Sequence, residues 1–198
     1  MPHQFFIDKR PHNGMNYREY IQKVVNELAA DPGKLSNEEK ELFEYKKLNM
    51  QRSSRIERTY DVSGELESLI KNIKDKQIWM VITEGWCGDS AQILPYIVKM
   101  AEVNSNIDLR ILLRDSNPDI MDLYLTNGTK SIPRLVVFDI EGNELFTWGP
   151  RPKVLQSLIH QWKREGIVRP ELYEKLHLWY SRDKGKEIEA EITEILKV

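Results

Sequence analysis

The stretch from Gln77 to Ala101 constrains the fold more than any other part of the chain. Ile78, Trp79, Met80, Val81 and Ile82 form a short continuous apolar run with β-branched and aromatic residues. Such a run is the pattern of a strand buried on both faces. Ile93, Leu94, Ile97, Val98 and Ala101 then recur at helical spacing, so a helix begins at or just after Cys87. The single cysteine therefore stands where a central strand hands over to a helix. There the free N–H groups of the first helical turn point at the sulfur, and the positive end of the helix dipole favours a thiolate. The position suits sulfur chemistry, or preserves the remains of it.

The elements on either side extend this unit. Ile107 to Leu113 reads as a second strand, and Asn117-Pro118 opens a short helix carrying Ile120 to Leu125. Leu135 to Phe138 and Leu145 to Trp148 read as two strands joined by a hairpin turn at Glu141-Gly142-Asn143. Gly149-Pro150-Arg151-Pro152 then leads into a helix that ends at Gly166. The order over residues 77–166 is βαβ followed by αββα. Helices are expected before it: one capped by Asn16, one opened by the capping box of Ser36 and Glu39 and running to about Gln51, and one from Ser63. Residues 1–15 read as an irregular lead-in, and two amphipathic helices close the chain.

With 198 residues the chain suits one domain with additions: an N-terminal helical extension over 1–75, a core over 76–166 and a C-terminal helical extension over 167–198. Charge is balanced at −2 overall, so bulk composition gives no reason to expect nucleic acid or a membrane surface as a partner. The basic stretch containing Lys46, Lys47, Arg52, Arg55 and Arg58 reads as a solvated face. No apolar run approaches the ~20 residues of a membrane span, and the first 17 residues lack the apolar segment of a signal peptide. A lone cysteine precludes an internal disulfide, and the expected location is cytoplasmic. His3, His12, His160 and His177 are scattered with no ligand spacing, so no metal site is expected.

Several motifs within these elements give the chain a resemblance to the thioredoxin family. Trp86-Cys87-Gly88 matches the start of the family's Trp-Cys-Gly-Pro-Cys site, and Pro95 matches the proline of its active-site helix. Asn117-Pro118 matches the opening of its next helix, and Ser131-Ile132-Pro133 before Leu135 to Phe138 matches the segment holding its cis-proline. Gly142-Asn143 matches the hairpin, and Gly149 the glycine on the rim that faces substrate. The resemblance covers about 90 residues. It implies a thioredoxin-like α/β fold with a central four- or five-stranded mixed sheet. It further implies that Pro133 is cis and faces Cys87, where the backbone of Ile132 and Pro133 would receive a substrate.

The departures from the family pattern limit the chemistry. Ser90 stands where the resolving cysteine belongs, Asp89 replaces the usual proline, Val81 stands at the site of a buried acid, and Arg134 replaces a threonine. A dithiol cycle is thus impossible for the chain alone. Any mixed disulfide at Cys87 needs glutathione, another small thiol or a partner's cysteine to resolve it. The Cys-Gly-Asp-Ser motif resembles monothiol members of the superfamily, which implies thiol–disulfide exchange on protein or small-molecule disulfides with no bound cofactor.

Expected site residues are Cys87 as nucleophile and Ser90 in support. Trp86, Gly88, Asp89, Ile132, Pro133 and Gly149 are expected to shape the substrate site. The helix terminus and Ser90 favour a thiolate while Asp89 opposes it, so the expected thiol is mildly acidic. Arg114, Arg134 and Arg151 are candidates for the carboxylates of a glutathione-like thiol. Two competing readings stand beside this one: a redox-inert binding module with a buried cysteine, and a dimer carrying an iron–sulfur cluster between two thiolates.

Overall fold

Strand β1 (Gln77–Thr83) is the centre of the molecule, and the computed structural model describes residues 1–197 around it. The run after Gln77 is buried throughout because β1 is paired on both edges and covered on both faces. β1 pairs in parallel with β2 (Ile107–Leu113) and antiparallel with β3 (Arg134–Asp139), which pairs in turn with β4 (Glu144–Trp148). The sheet among the described residues is four-stranded and mixed, in the order β2-β1-β3-β4.

The period-2 alternation of strands divides the core in two. Trp79, Val81, Leu135 and Val137 face one side of the sheet, while Ile78, Met80, Ile82, Val136 and Phe138 face the other. The first side is covered by α5 (Gly88–Glu102), which crosses from β1 to β2 and is buried along nearly its whole length. Helix α7 (Lys153–Arg164) adds Leu155 and Ile159 to that layer.

The second side takes the N-terminus, which is not irregular as its sequence suggests. Residues Gln4–Ile7 form a short helix, α1, whose Phe5 and Phe6 are buried among Ile120, Met121 and Phe138. Helix α6 (Pro118–Met121) is shorter than its apolar residues suggest. Tyr124 beyond it is still buried, but Leu123 and Leu125 are exposed.

The remaining helices add a layer outside α5. Helix α2 (Tyr17–Leu28) starts with a capping box between Asn16 and Glu19, and α3 (Asn37–Thr59) with one between Ser36 and Glu39. Helix α3 runs eight residues past Gln51, to Thr59. Its last buried residues, Ser53 and Ile56, lie against α5 rather than in a sheet. Helix α4 (Gly64–Lys71) carries Leu66 and Ile70 into the same core. The chain closes with α8 (Arg169–Asp183), which packs on α7, and α9 (Lys186–Leu196), which packs on α4.

Pro95 lies inside α5, where a proline removes one helical hydrogen bond and costs about 3 kcal/mol in an ordinary helix. The carbonyl left without its i+4 donor is that of Ala91. Helix α3 supplies the missing donor: the buried Ser53 Oγ gives its hydrogen to Ala91 O at 3.2 Å. One turn earlier on the same face, Asn49 Nδ2 donates to the carbonyl of Gly85 at 3.1 Å. Helix α3 is thereby fixed across the loop that carries Cys87.

Candidate functional site

Cys87 is the N-cap of α5, and its amide donates to the carbonyl of Glu84 at 3.1 Å to close the loop after β1. The residue is 8 % exposed, and its sulfur lies 3.4 Å from the carbonyl oxygen of Ile132. The Ile132-Pro133 peptide bond is cis, so the sulfur faces the bend that the sequence pattern implies. Gly149-Pro150 is also cis, which no sequence feature had indicated.

Gly149 approaches that bend closely. Its φ is 112°, and a Cβ there would stand 2.4 Å from the carbonyl oxygen of Pro133. Only glycine fits such a position. Its part is to let the loop after β4 lie against Pro133, where Arg134 also donates to the Gly149 carbonyl at 2.8 Å.

The thiol is not mildly acidic. Burial, followed by the Asp89 carboxylate, pushes its pKa up to about 11. The backbone amides of Asp89 and Ser90 and the Ser90 hydroxyl act in the opposite direction, as a helix terminus should, but burial outweighs them. Ser90 is 1 % exposed, and its Oγ has no hydrogen-bond partner among the described residues.

Asp89 is buried and tied to two distant residues. Arg151, just after the second cis-proline, donates from Nε to Asp89 Oδ1 at 2.9 Å and pairs from Nη2 with Oδ2. The Tyr180 hydroxyl on α8 donates to Asp89 Oδ1 at 2.7 Å. Burial, and then Asp89 beside it, holds the Tyr180 phenol well above its ordinary pKa, so it remains a donor. The motif's aspartate therefore anchors the C-terminal extension and the loop after β4 to the first turn of α5.

A cavity of about 1040 Å³ opens over the thiol. Trp86, Cys87, Gly88 and Asp89 line its base, and Ser131 and Ile132 line one edge. Its walls come from the extensions: Leu48 and Arg52 on α3 face Tyr173 and His177 on α8. Gly88 leaves room for both walls, since a Cβ there would lie 3.2 Å from His177 Cε1 and 3.8 Å from Arg52 Nη1. Burial, then the Arg52 charge, lowers the pKa of His177 to about 4, with Asp89 opposing in part. The ring is neutral at pH 7, and its Nδ1 is buried without a partner among the described residues.

The structure thus gathers Trp86, Cys87, Gly88, Asp89 and Ile132 around one cavity, with the buried Ser90 beside the thiol and Gly149 packed against the Pro133 carbonyl. The three arginines proposed from the sequence for a carboxylate are all engaged. Arg151 pairs with Asp89, and Arg134 bonds Gly149 and Thr147. Arg114 pairs with Asp115 at 2.8 Å while lying 4.7 Å over the Trp86 ring. Sequence reasoning missed Arg52, His177 and Tyr180. The basic stretch on α3 is not uniformly a solvated face, because Arg52 turns into the cavity. No local signal marked it.

Among the described residues, no cluster of three or more His, Cys, Asp or Glu side chains is arranged to hold a metal ion, and no helix is long and apolar enough to cross a membrane.

A family model described as thioredoxin matches residues 36–163, a span that takes in α3 and α4. No curated protein matches the chain. The crystal structure of a protein of unknown function from Pseudomonas aeruginosa is similar with a TM-score of 0.62 at 16 % identity, covering 94 % of this chain and 93 % of that one. An HIV epitope-scaffold is similar with a TM-score of 0.62 at 15 % identity, covering 96 % of both chains. At such identities the likeness concerns the fold, helical extensions included.

Proposed function

The chain belongs to the thioredoxin family, and on that footing we propose that it is a monothiol thiol–disulfide oxidoreductase working through Cys87. The observation that carries this reading is the sulfur 3.4 Å from the Ile132 carbonyl, ahead of Pro133, at the base of a cavity large enough for a small molecule. The Cys87 thiolate attacks one sulfur of a bound disulfide. A bond forms to Sγ, the substrate S–S bond breaks, and the departing thiolate takes up the proton that Cys87 released. With Ser90 in place of a second cysteine, a free thiol such as glutathione attacks the mixed disulfide, releases the product and restores Cys87. Ser90 and the amides of Asp89 and Ser90 oppose the loss of thiolate caused by burial.

The same burial favours a second reading, a redox-inert thioredoxin-fold module that uses the cavity only for binding. Incubation with oxidised glutathione followed by intact-mass measurement separates the two. A glutathione adduct on Cys87, absent in Cys87→Ser and removed by excess thiol, supports the enzyme. No adduct after hours at pH 8, with the fold intact, selects the binding module. Visible absorbance after anaerobic purification would instead indicate an iron–sulfur carrier.

A further inference from the structure

Among the cations lining the cavity, Arg52 is set apart by burial and by what it lacks. Arg114, Lys130 and Arg151 each meet a carboxylate, those of Asp115, Asp122 and Asp89. Arg169 is exposed and bonds the Tyr173 hydroxyl. Arg52 is partly buried, and its only hydrogen bond among the described residues is from Nη1 to Asn49 Oδ1 at 3.0 Å. Among the described residues no carboxylate pairs with it, and burial, followed by the like charge of Arg55, disfavours its charged form. A guanidinium has five N–H donors in a rigid fork, so most of this one's bonding capacity is unused. Partial burial without a counter-charge is a cost that an incoming anion would relieve.

Its position gives that anion a place next to the chemistry. Nη1 stands over Gly88, the residue after the nucleophile and the first of the 15-residue helix α5. The helix terminus adds its own preference for negative charge at the same spot. Beside Arg52, the cavity offers Trp86, Leu48 and Tyr173 to an apolar body.

We infer that Arg52 is the anion-recognition residue of the cavity, and that the disulfide exchanged at Cys87 is a small organic one bearing a carboxylate. This rests on the exchange chemistry proposed above and narrows its substrate. The reaction balances as before: the carboxylated half stays on Cys87 as a mixed disulfide, the other half leaves as a thiol, and an external thiol completes the turnover.

The test compares oxidised glutathione, neutral bis(2-hydroxyethyl) disulfide and cationic cystamine as substrates of the full chain, following the Cys87 adduct by intact mass. Wild type is expected to prefer oxidised glutathione over the neutral disulfide by at least about tenfold once their solution reactivities are divided out, since a charge-assisted hydrogen bond carries that much. Arg52→Gln is expected to collapse this ratio and Arg52→Lys to restore most of it, a rescue that a purely structural role would not give. In wild type alone the preference should also shrink as salt rises, a measurement that needs no variant to fold.

Calorimetric binding of S-methylglutathione, which has neither thiol nor disulfide, isolates recognition from chemistry. Arg52-dependent binding without any adduct would remove the exchange reaction and leave the anion site standing. Adducts from all three disulfides at ratios that Arg52→Gln and salt leave unchanged would keep the reaction and overturn the assignment of Arg52.

Discussion

Replacing Asp89 by asparagine tests the link between the extensions and the thiol. Asp89 is 7 % exposed, accepts from Tyr180 and forms a two-point pair with Arg151, whose side chain is 28 % exposed. Breaking a fully buried pair from one side costs about 3–5 kcal/mol. The partial exposure of Arg151 lowers that to about 2–3 kcal/mol. For a chain of this length the melting temperature should fall by about 5–10 °C. The thiol should move the other way from stability. Burial still raises its pKa above the ordinary value, but the like charge is gone and the Arg151 cation is left unpaired nearby. A fall of about one unit from about 11 multiplies the thiolate fraction at pH 8 by about ten. Iodoacetamide alkylation of the folded variant, followed by intact mass, should accelerate accordingly. Arg151→Gln is the reverse case: it loses a similar stability but leaves Asp89 unpaired beside Cys87, so alkylation should slow. If both variants change the thiol in the same direction, or Asp89→Asn leaves it unchanged, Asp89 does not set the sulfur's acidity.

Wild-type Cys87 itself, with a pKa of about 11, should react with iodoacetamide at pH 7.5 roughly a hundredfold more slowly than a free cysteine; a comparable rate would contradict its burial. Gly149→Ala would force a methyl group 2.4 Å from the Pro133 carbonyl at a φ of 112°, and should lower stability by at least about 2 kcal/mol in chemical denaturation. Ser53→Ala leaves the buried Ala91 carbonyl without a donor and should cost about 1–2 kcal/mol by the same measurement, whereas no change would mean that water replaces the hydroxyl. His177 has a folded pKa of about 4, below its ordinary 6.5, so the unfolded chain takes up its proton first as pH falls. Stability is therefore full above pH 6.5 and drops by about 1–2 kcal/mol towards pH 4, discounted for a ring that is partly solvated. Melting curves of His177→Gln should lose that part of the slope.

Much of the frame is written locally. The two capping boxes, Asn16 with Glu19 and Ser36 with Glu39, appear where their side chains promise them, because a cap needs only residues three apart. Strand β1 is legible for a similar reason: a continuous apolar run has nowhere to go but between two layers. Cys87 at the mouth of α5, and Pro133 in a cis bend across from it, followed from motif order. Three matters were decided only by packing. Arg52, Gly88 and His177 meet because α3 and α8 lie on either side of one loop, and no spacing in the chain records that meeting. Asp89 binds Tyr180 across 91 residues, which turned a motif position read as a like charge beside sulfur into a structural anchor. The acidity of Cys87 reversed for the same reason: helix-terminus effects are local and readable, while desolvation depends on everything the fold lays over the atom. Residues close in the chain thus fix where the sulfur sits; how deeply it is buried and which charges surround it depend on side chains far apart in the chain, which only the packed fold brings together.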